Sequence, residues 1–163
     1  MKLEAILLKV AQNDELFMAQ ALKEAKKAEL KDEVPIGAVV VKDSTIIARG
    51  YNQKVTKNNT ILHAEIVALT KAMKKTKDWR LTGCTLYVTL EPCPMCAGAC
   101  INSRVDRIVF GAYDKKAGCC GTLYNLPTDK RFNHRASVTG GVLENNCSKI
   151  LSDYFAKRRQ KEV

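Results

Sequence analysis

One histidine, one glutamate and two cysteines stand at spacings that can do chemistry. His63-Ala64-Glu65 opens an apolar-periodic run, and Pro92-Cys93-Pro94-Met95-Cys96 lies where a strand-like run passes into a helical one. Cys93 and Cys96 are three residues apart, so the first turn of a helix aims both sulfurs the same way. A helix N-terminus also favours thiolate, the form that ligates metal. One imidazole and two thiolates supply three ligands, and a tetrahedral Zn²⁺ then keeps its fourth position for water. That is the layout of a catalytic zinc. Glu65, two residues past the histidine, need not be a ligand. Beside a metal-bound water it can take a proton and return it elsewhere.

Other readings of these residues are weaker. A CxxC pair alone fits a thioredoxin-like redox site, but that leaves the upstream His-Ala-Glu without a role. A structural zinc site usually wants a second CxxC or HxxxH, and the chain has neither. Its only other histidine is His134. Cys84, Cys100 and Cys147 read as core thiols, since free cysteine packs like a small hydrophobe. Cys100 is one turn from Cys96 and is expected to point away from the metal. Cys119-Cys120, in an aperiodic stretch, suggests no function.

The elements that must position these groups follow from periodicity. A helix is expected after Asn13, as an N-cap, with Phe17, Met18, Ala21, Leu22, Ala25 and Ala28 on its apolar side. Residues 1–12 then form an extension of no evident purpose. Ile36–Val41 and Thr45–Arg49 read as a hairpin around Asp43-Ser44. A helix begins near His63, a strand covers Thr85–Leu90, and Pro94 suits the first position of a helix reaching about Ser103. Ile108–Phe110 is another strand, ended by Gly111. The long segment to Ser137 is a loop or an irregular helix, and such loops are more often functional than idle. Val138–Val142 reads as a last strand. Cys147, Ile150, Leu151, Tyr154 and Phe155 mark a final amphipathic helix over 145–160, with a basic end at Lys157, Arg158 and Arg159. A hairpin followed by strands alternating with helices implies an α/β fold with a mixed, roughly five-stranded central sheet covered on both faces.

Composition sets the outer bounds. The 163 residues fit one domain, and 46% apolar with 27% charged residues excludes disorder, collagen and coiled coil. The 27 Lys plus Arg against 17 Asp plus Glu leave a net charge of +10, which suits either a polyanionic partner or a lysine-rich solvated surface. Seven cysteines, an odd count, argue against a disulfide scaffold. No run approaches the roughly 18 apolar residues of a membrane span. Lys9 stops the first apolar cluster before it could serve as a signal peptide, so the expected location is cytoplasmic.

HAE followed by PCxxC matches the signature of the zinc-dependent cytidine and nucleobase deaminases. EVPIGAVVV (Glu33–Val41), HAEIVAL (His63–Leu69), WRL (Trp79–Leu81), TLYVTLEPCPMCAGA (Thr85–Ala99), RIVFGAYD (Arg107–Asp114), FNHR (Phe132–Arg135) and DYFAKRRQ (Asp153–Gln160) resemble, more narrowly, the bacterial tRNA-specific adenosine deaminases. The likeness spans about residues 14 to 160. It implies a three-layer α/β/α deaminase fold and conversion of the wobble adenosine of tRNA to inosine. It also implies one Zn²⁺ per subunit, held by His63, Cys93 and Cys96, and homodimers whose pockets are completed across the interface. Glu65 would shuttle protons and Asn52 would hydrogen-bond the target base. Ala64, Leu90, Glu91 and Pro92 would line the pocket. Asp114, the segment around Tyr124, and Asn133, His134 and Arg135 would meet the anticodon loop, and Arg158 and Arg159 its phosphates.

One departure stands out. That family usually leads into the HAE helix through Asp-Pro-Thr-Ala, whereas here the run is Asn59-Thr60-Ile61-Leu62, without the rigid proline. Two other functions compete. A free guanine or cytosine deaminase shares both motifs but needs no cationic tail. A zinc-stabilised RNA-binding module without activity would have no use for Glu65.

Overall fold

In the computed structural model, which describes residues 2–161, five strands form one mixed sheet in the order β2-β1-β3-β4-β5. The strands are β1 (Gly37–Lys42), β2 (Thr45–Tyr51), β3 (Cys84–Leu90), β4 (Arg107–Ala112) and β5 (Ser137–Thr139). β1 is antiparallel to β2 and β3, while β3, β4 and β5 run parallel. Asp43 and Ser44 both take positive φ, 48° and 57°. Two such residues in succession match the right-handed twist of the strands they join. This register sends the ends of β2, β3 and β4 to one edge of the sheet, where open α/β sheets bind their ligands.

Four helices cover the two faces. α2 (Ala64–Thr76) and α3 (Pro94–Asn102) pack on one side, where Ala64, Ala68, Ala97 and Cys100 meet Val40, Leu86, Val88 and Phe110. α1 (Lys2–Glu29) and α4 (Glu144–Lys161) take the other, where Met18, Ala21 and Cys147 meet Val39, Tyr87 and Val109. The layers are α/β/α, as the resemblance implied.

Several boundaries differ from those expected. α1 does not start after Asn13 but runs through it from Lys2, so the extension is helical. Ala, Leu and Lys dominate those first turns and favour continuing the helix over capping it. Asp14, expected in a first turn, is buried in mid-helix. It receives both Arg107 Nη atoms at 2.7 and 2.6 Å and the Tyr87 hydroxyl at 2.8 Å, which ties α1 to β3 and β4. N-terminal to Asp14 the helix overhangs, with Leu3, Ile6, Leu7, Leu8 and Val10 exposed. Gly111 does not end β4, which continues to Ala112. A Cβ there would lie 2.3 Å from Cys147 Sγ, so the glycine admits α4 to the sheet. β5 is only three residues long and stops before Gly140-Gly141. The 113–136 segment is irregular apart from an antiparallel bridge between Cys120 and Asn125 and a 3₁₀ turn at Leu126–Thr128. On α4, Cys147 and Tyr154 are buried as expected, but Phe155 is exposed.

Candidate active site

The site forms where the chain leaves β2 and β3 and turns into α2 and α3. His63 and Cys93 occupy the same structural position, each the N-cap of its helix in extended backbone, and neither uses its side chain to cap. Both side chains are therefore free to face the gap between the helix starts. Pro94 occupies the first turn of α3, where a missing N–H costs nothing.

His63 Nδ1 lies 3.7 Å from Cys93 Sγ and 3.6 Å from Cys96 Sγ. The three donor atoms all fall within 4.8 Å of one another. Zinc bonds of about 2.3 Å to sulfur and about 2.0–2.1 Å to nitrogen, at a tetrahedral angle, put such ligands about 3.6 Å apart. The donor set thus fits a tetrahedral metal in both chemistry and spacing. Electrostatics agree: Cys93 is drawn down to about 4 by the hydrogen bond from the Cys96 thiol, against burial, and by His63. Cys96 is pushed up by the same hydrogen bond and by burial. His63 is raised, first by its hydrogen bond to Cys93. Cys100 is buried and lies outside the trio.

Glu65 sits in the first turn of the helix that His63 caps and is 4% exposed. Burial pushes its carboxyl up to about 7, with the His63 charge pulling the other way. A carboxyl that titrates near neutrality can both accept and donate a proton, which suits a shuttle.

Asn52, the first residue after β2, is 5% exposed, and its Oδ1 has no hydrogen-bond partner among the described residues. A buried carbonyl left unpaired is costly unless a ligand completes it. The loop from Gln53 to Leu62 is braced without proline. Asn59 Oδ1 accepts the Ile61 N–H at 3.1 Å, the Gln53 N–H reaches the Leu62 carbonyl, and Glu33 takes the Thr56 N–H at 2.6 Å and its hydroxyl at 2.8 Å. An Asx turn thus does what the expected proline would have done.

The remaining candidate residues divide. Ala64 and Pro92 are buried, each next to a metal-ligating position in sequence, and Leu90, three residues before Cys93, is half-buried. The carboxylate of Glu91 is spent inside the protein, on the loop after β4. Asp114 is likewise engaged, its Oδ1 accepting from the Lys116 and Ala117 amides. Tyr124 and Arg135 are exposed. Asn133 accepts from Arg104, and the His134 Nε2 is 2.7 Å from the Val105 carbonyl. Arg158 donates to the Tyr154 hydroxyl and lies over its ring, and Arg159 is exposed. Cys119 and Cys120, without a role on spacing, are buried in the core cluster under the loop. Glu33 was not among the candidates; its partners lie 23 residues away and leave no local signal.

Residues 12–159 match the MafB19-like deaminase family. The tRNA-specific adenosine deaminase of Bacillus subtilis (strain 168) is 56% identical over 149 residues, covering 91% of this chain and 92% of that protein. The chain belongs to the tRNA-specific adenosine deaminase family. A structure from studies of A-to-I editing by tRNA:A34 deaminases superposes with a TM-score of 0.80 at 41% identity, over 83% of this chain and 98% of that one. The guanine deaminase of Nitrosomonas europaea superposes with a TM-score of 0.74 at 28% identity, over 87% and 84%. This family member is accordingly a deaminase in fold and motif, and no helix among its described residues is long and apolar enough to cross a membrane.

Proposed function

We propose that this deaminase converts adenosine to inosine at the wobble position of tRNA anticodons, with one Zn²⁺ per subunit. We further propose that residues 1–163 act as one unit, in a cytoplasmic homodimer. Identity of 56% across 91% of the chain to a protein named tRNA-specific adenosine deaminase carries this reading.

His63, Cys93 and Cys96 would hold the zinc, which when bound lowers the pKa of a coordinated water towards about 7. The protein does the rest. The amide of Asn52 meets the polar edge of the base, and a donor on the substrate supplies the partner that Oδ1 lacks. Ala64, Leu90 and Pro92 wall the base and exclude bulk water. Glu65 takes a proton from the attacking water and delivers it to the ring nitrogen beside carbon 6. The water oxygen becomes bonded to that carbon, Glu65 takes the remaining proton from the new hydroxyl and passes it to the amino group, and the carbon–nitrogen bond breaks to release ammonia and leave inosine. The base must first be unstacked, which costs least in an anticodon loop where it is already unpaired. Asp114, Tyr124 and the Asn133-His134-Arg135 turn would meet the loop, and Arg158 and Arg159 its phosphates.

The likeness to a guanine deaminase supports free-base deamination as a second reading. The deciding experiment offers purified protein an anticodon stem-loop with a wobble adenosine, and in parallel free guanine, cytosine and adenine. Inosine in the stem-loop alone supports the first reading, and ammonia from a free base alone supports the second. Glu65→Gln should keep its zinc while turnover falls about 10²–10⁴-fold. Ammonia release at the wild-type rate from that variant would end the assignment of Glu65.

A further inference from the structure

Glu91 immediately precedes Pro92-Cys93, yet its side chain is turned away from any role as a free ligand. It is 2% exposed and collects four donors, all from the segment that follows β4. Oε1 accepts the amides of Cys120 and Thr122 at 3.1 and 3.0 Å. Oε2 accepts the amide of Asp114 at 3.0 Å and the hydroxyl of Thr122. An ionised carboxylate offers about four acceptor positions, so none remains for a substrate.

The backbone repeats the attachment. The Glu91 N–H donates to the Ala112 carbonyl at 2.8 Å, and the Pro92 carbonyl accepts from Cys119 at 2.9 Å. Gly118 closes the arrangement: a Cβ there would lie 2.3 Å from Glu91 Oε2 and 2.5 Å from the Asp114 carbonyl. Beyond these anchors the chain turns outward, and Leu123 and Tyr124 stand exposed at its tip. Within the segment a Cys120–Asn125 bridge and turn bonds, such as the Gly121 N–H to the Tyr124 carbonyl, hold the backbone locally, but no ladder among the described residues joins it to the sheet. Charge-assisted hydrogen bonds to one buried carboxylate provide the substitute.

We propose that Glu91 is a positioning residue for substrate recognition. It locks the 113–124 segment to the Cys93 turn, so that Leu123 and Tyr124 form a preformed apolar and aromatic surface for RNA bases flanking the target nucleotide. This rests on the RNA reading given above. Preforming that surface lowers the ordering cost of binding, and exposed aromatic rings stack on unpaired bases.

Glu91→Gln tests it, because glutamine keeps one acceptor oxygen but sets an NH₂ group against either the Asp114 amide or the Cys120 and Thr122 amides. Its KM for the anticodon stem-loop should rise about tenfold or more with kcat within about threefold, a split that marks lost substrate binding. Zinc content should stay unchanged, and hydrogen exchange should quicken in 114–122 while α2 and α3 keep their protection. Gly118→Ala forces the carboxylate and the segment apart while leaving the Glu91 side chain chemically intact, and should give the same split. If Glu91→Gln does not fold, Gly118→Ala and Thr122→Val carry the test. An unchanged KM in these variants, or a loss of zinc and kcat at constant KM, would overturn the proposal. Wild-type protein that makes no inosine would instead defeat the RNA reading, and the exchange measurement would still report whether Glu91 orders the segment.

Discussion

Asn52 should separate activity from stability when it is replaced by alanine. Its Oδ1 is buried without a hydrogen-bond partner among the described residues. An unpaired buried acceptor costs about 1–3 kcal/mol. Removing it returns that cost, and the lost packing of a short amide offsets it at about 25 cal/mol per Å². The net change in folding free energy should therefore lie within about 1 kcal/mol of zero, in either direction. Catalysis should behave differently. Losing the hydrogen bonds to a base edge leaves polar groups on the substrate unpaired, so kcat/KM should fall about 10- to 10³-fold. Urea denaturation gives the first number and single-turnover kinetics on a stem-loop the second. A variant destabilised by more than about 2 kcal/mol with kcat/KM nearly intact would refute the reasoning. Asn52 would then be a framework residue.

Further outcomes follow from other groups. Asp14→Ala strips Arg107 and Tyr87 of a shared buried partner and should cost about 3–5 kcal/mol, read from the urea midpoint; a loss under about 1 kcal/mol would show that α1 is held by packing alone. Glu33 feels burial, which raises it, but hydrogen bonds from Thr56, Val55 and Lys54 prevail and leave its carboxyl below the ordinary value of 4.5. Its contribution is therefore complete above that value and lost as pH falls through the lower folded one. The stability difference between wild type and Glu33→Gln, measured against pH, should be flat near neutrality and shrink below about 4.5. RNA affinity should weaken linearly in logarithmic plots against salt, and Arg159→Gln should reduce the slope by about 0.7–0.9.

Most of what positions the chemistry could be read from spacing, because the ligands sit next to helix starts that carry their own signals. His63 and Cys93 follow this pattern, and the deviation at 59–62 is made good by a local turn. Contacts across the chain were not legible. Asp14 looks like a first-turn acid until Arg107, 93 residues away, is brought beside it. Gly111 reads as a strand end because its reason, the Cys147 sulfur, lies on the last helix. Glu91 reads as a pocket residue because all four of its donors come from a stretch with no period of its own.

The overhang of α1 divides that helix into two regions of unequal persistence. From Asp14 onward one face of the helix is buried against the sheet, whereas Leu3, Ile6, Leu7, Leu8 and Val10 are exposed. About three turns of helix in that situation are marginal by themselves, so they fray while the body stays shut. A fluorophore or fusion attached there would report on local unwinding and miss the cooperative transition. A protease would nick this stretch first and leave the catalytic body whole.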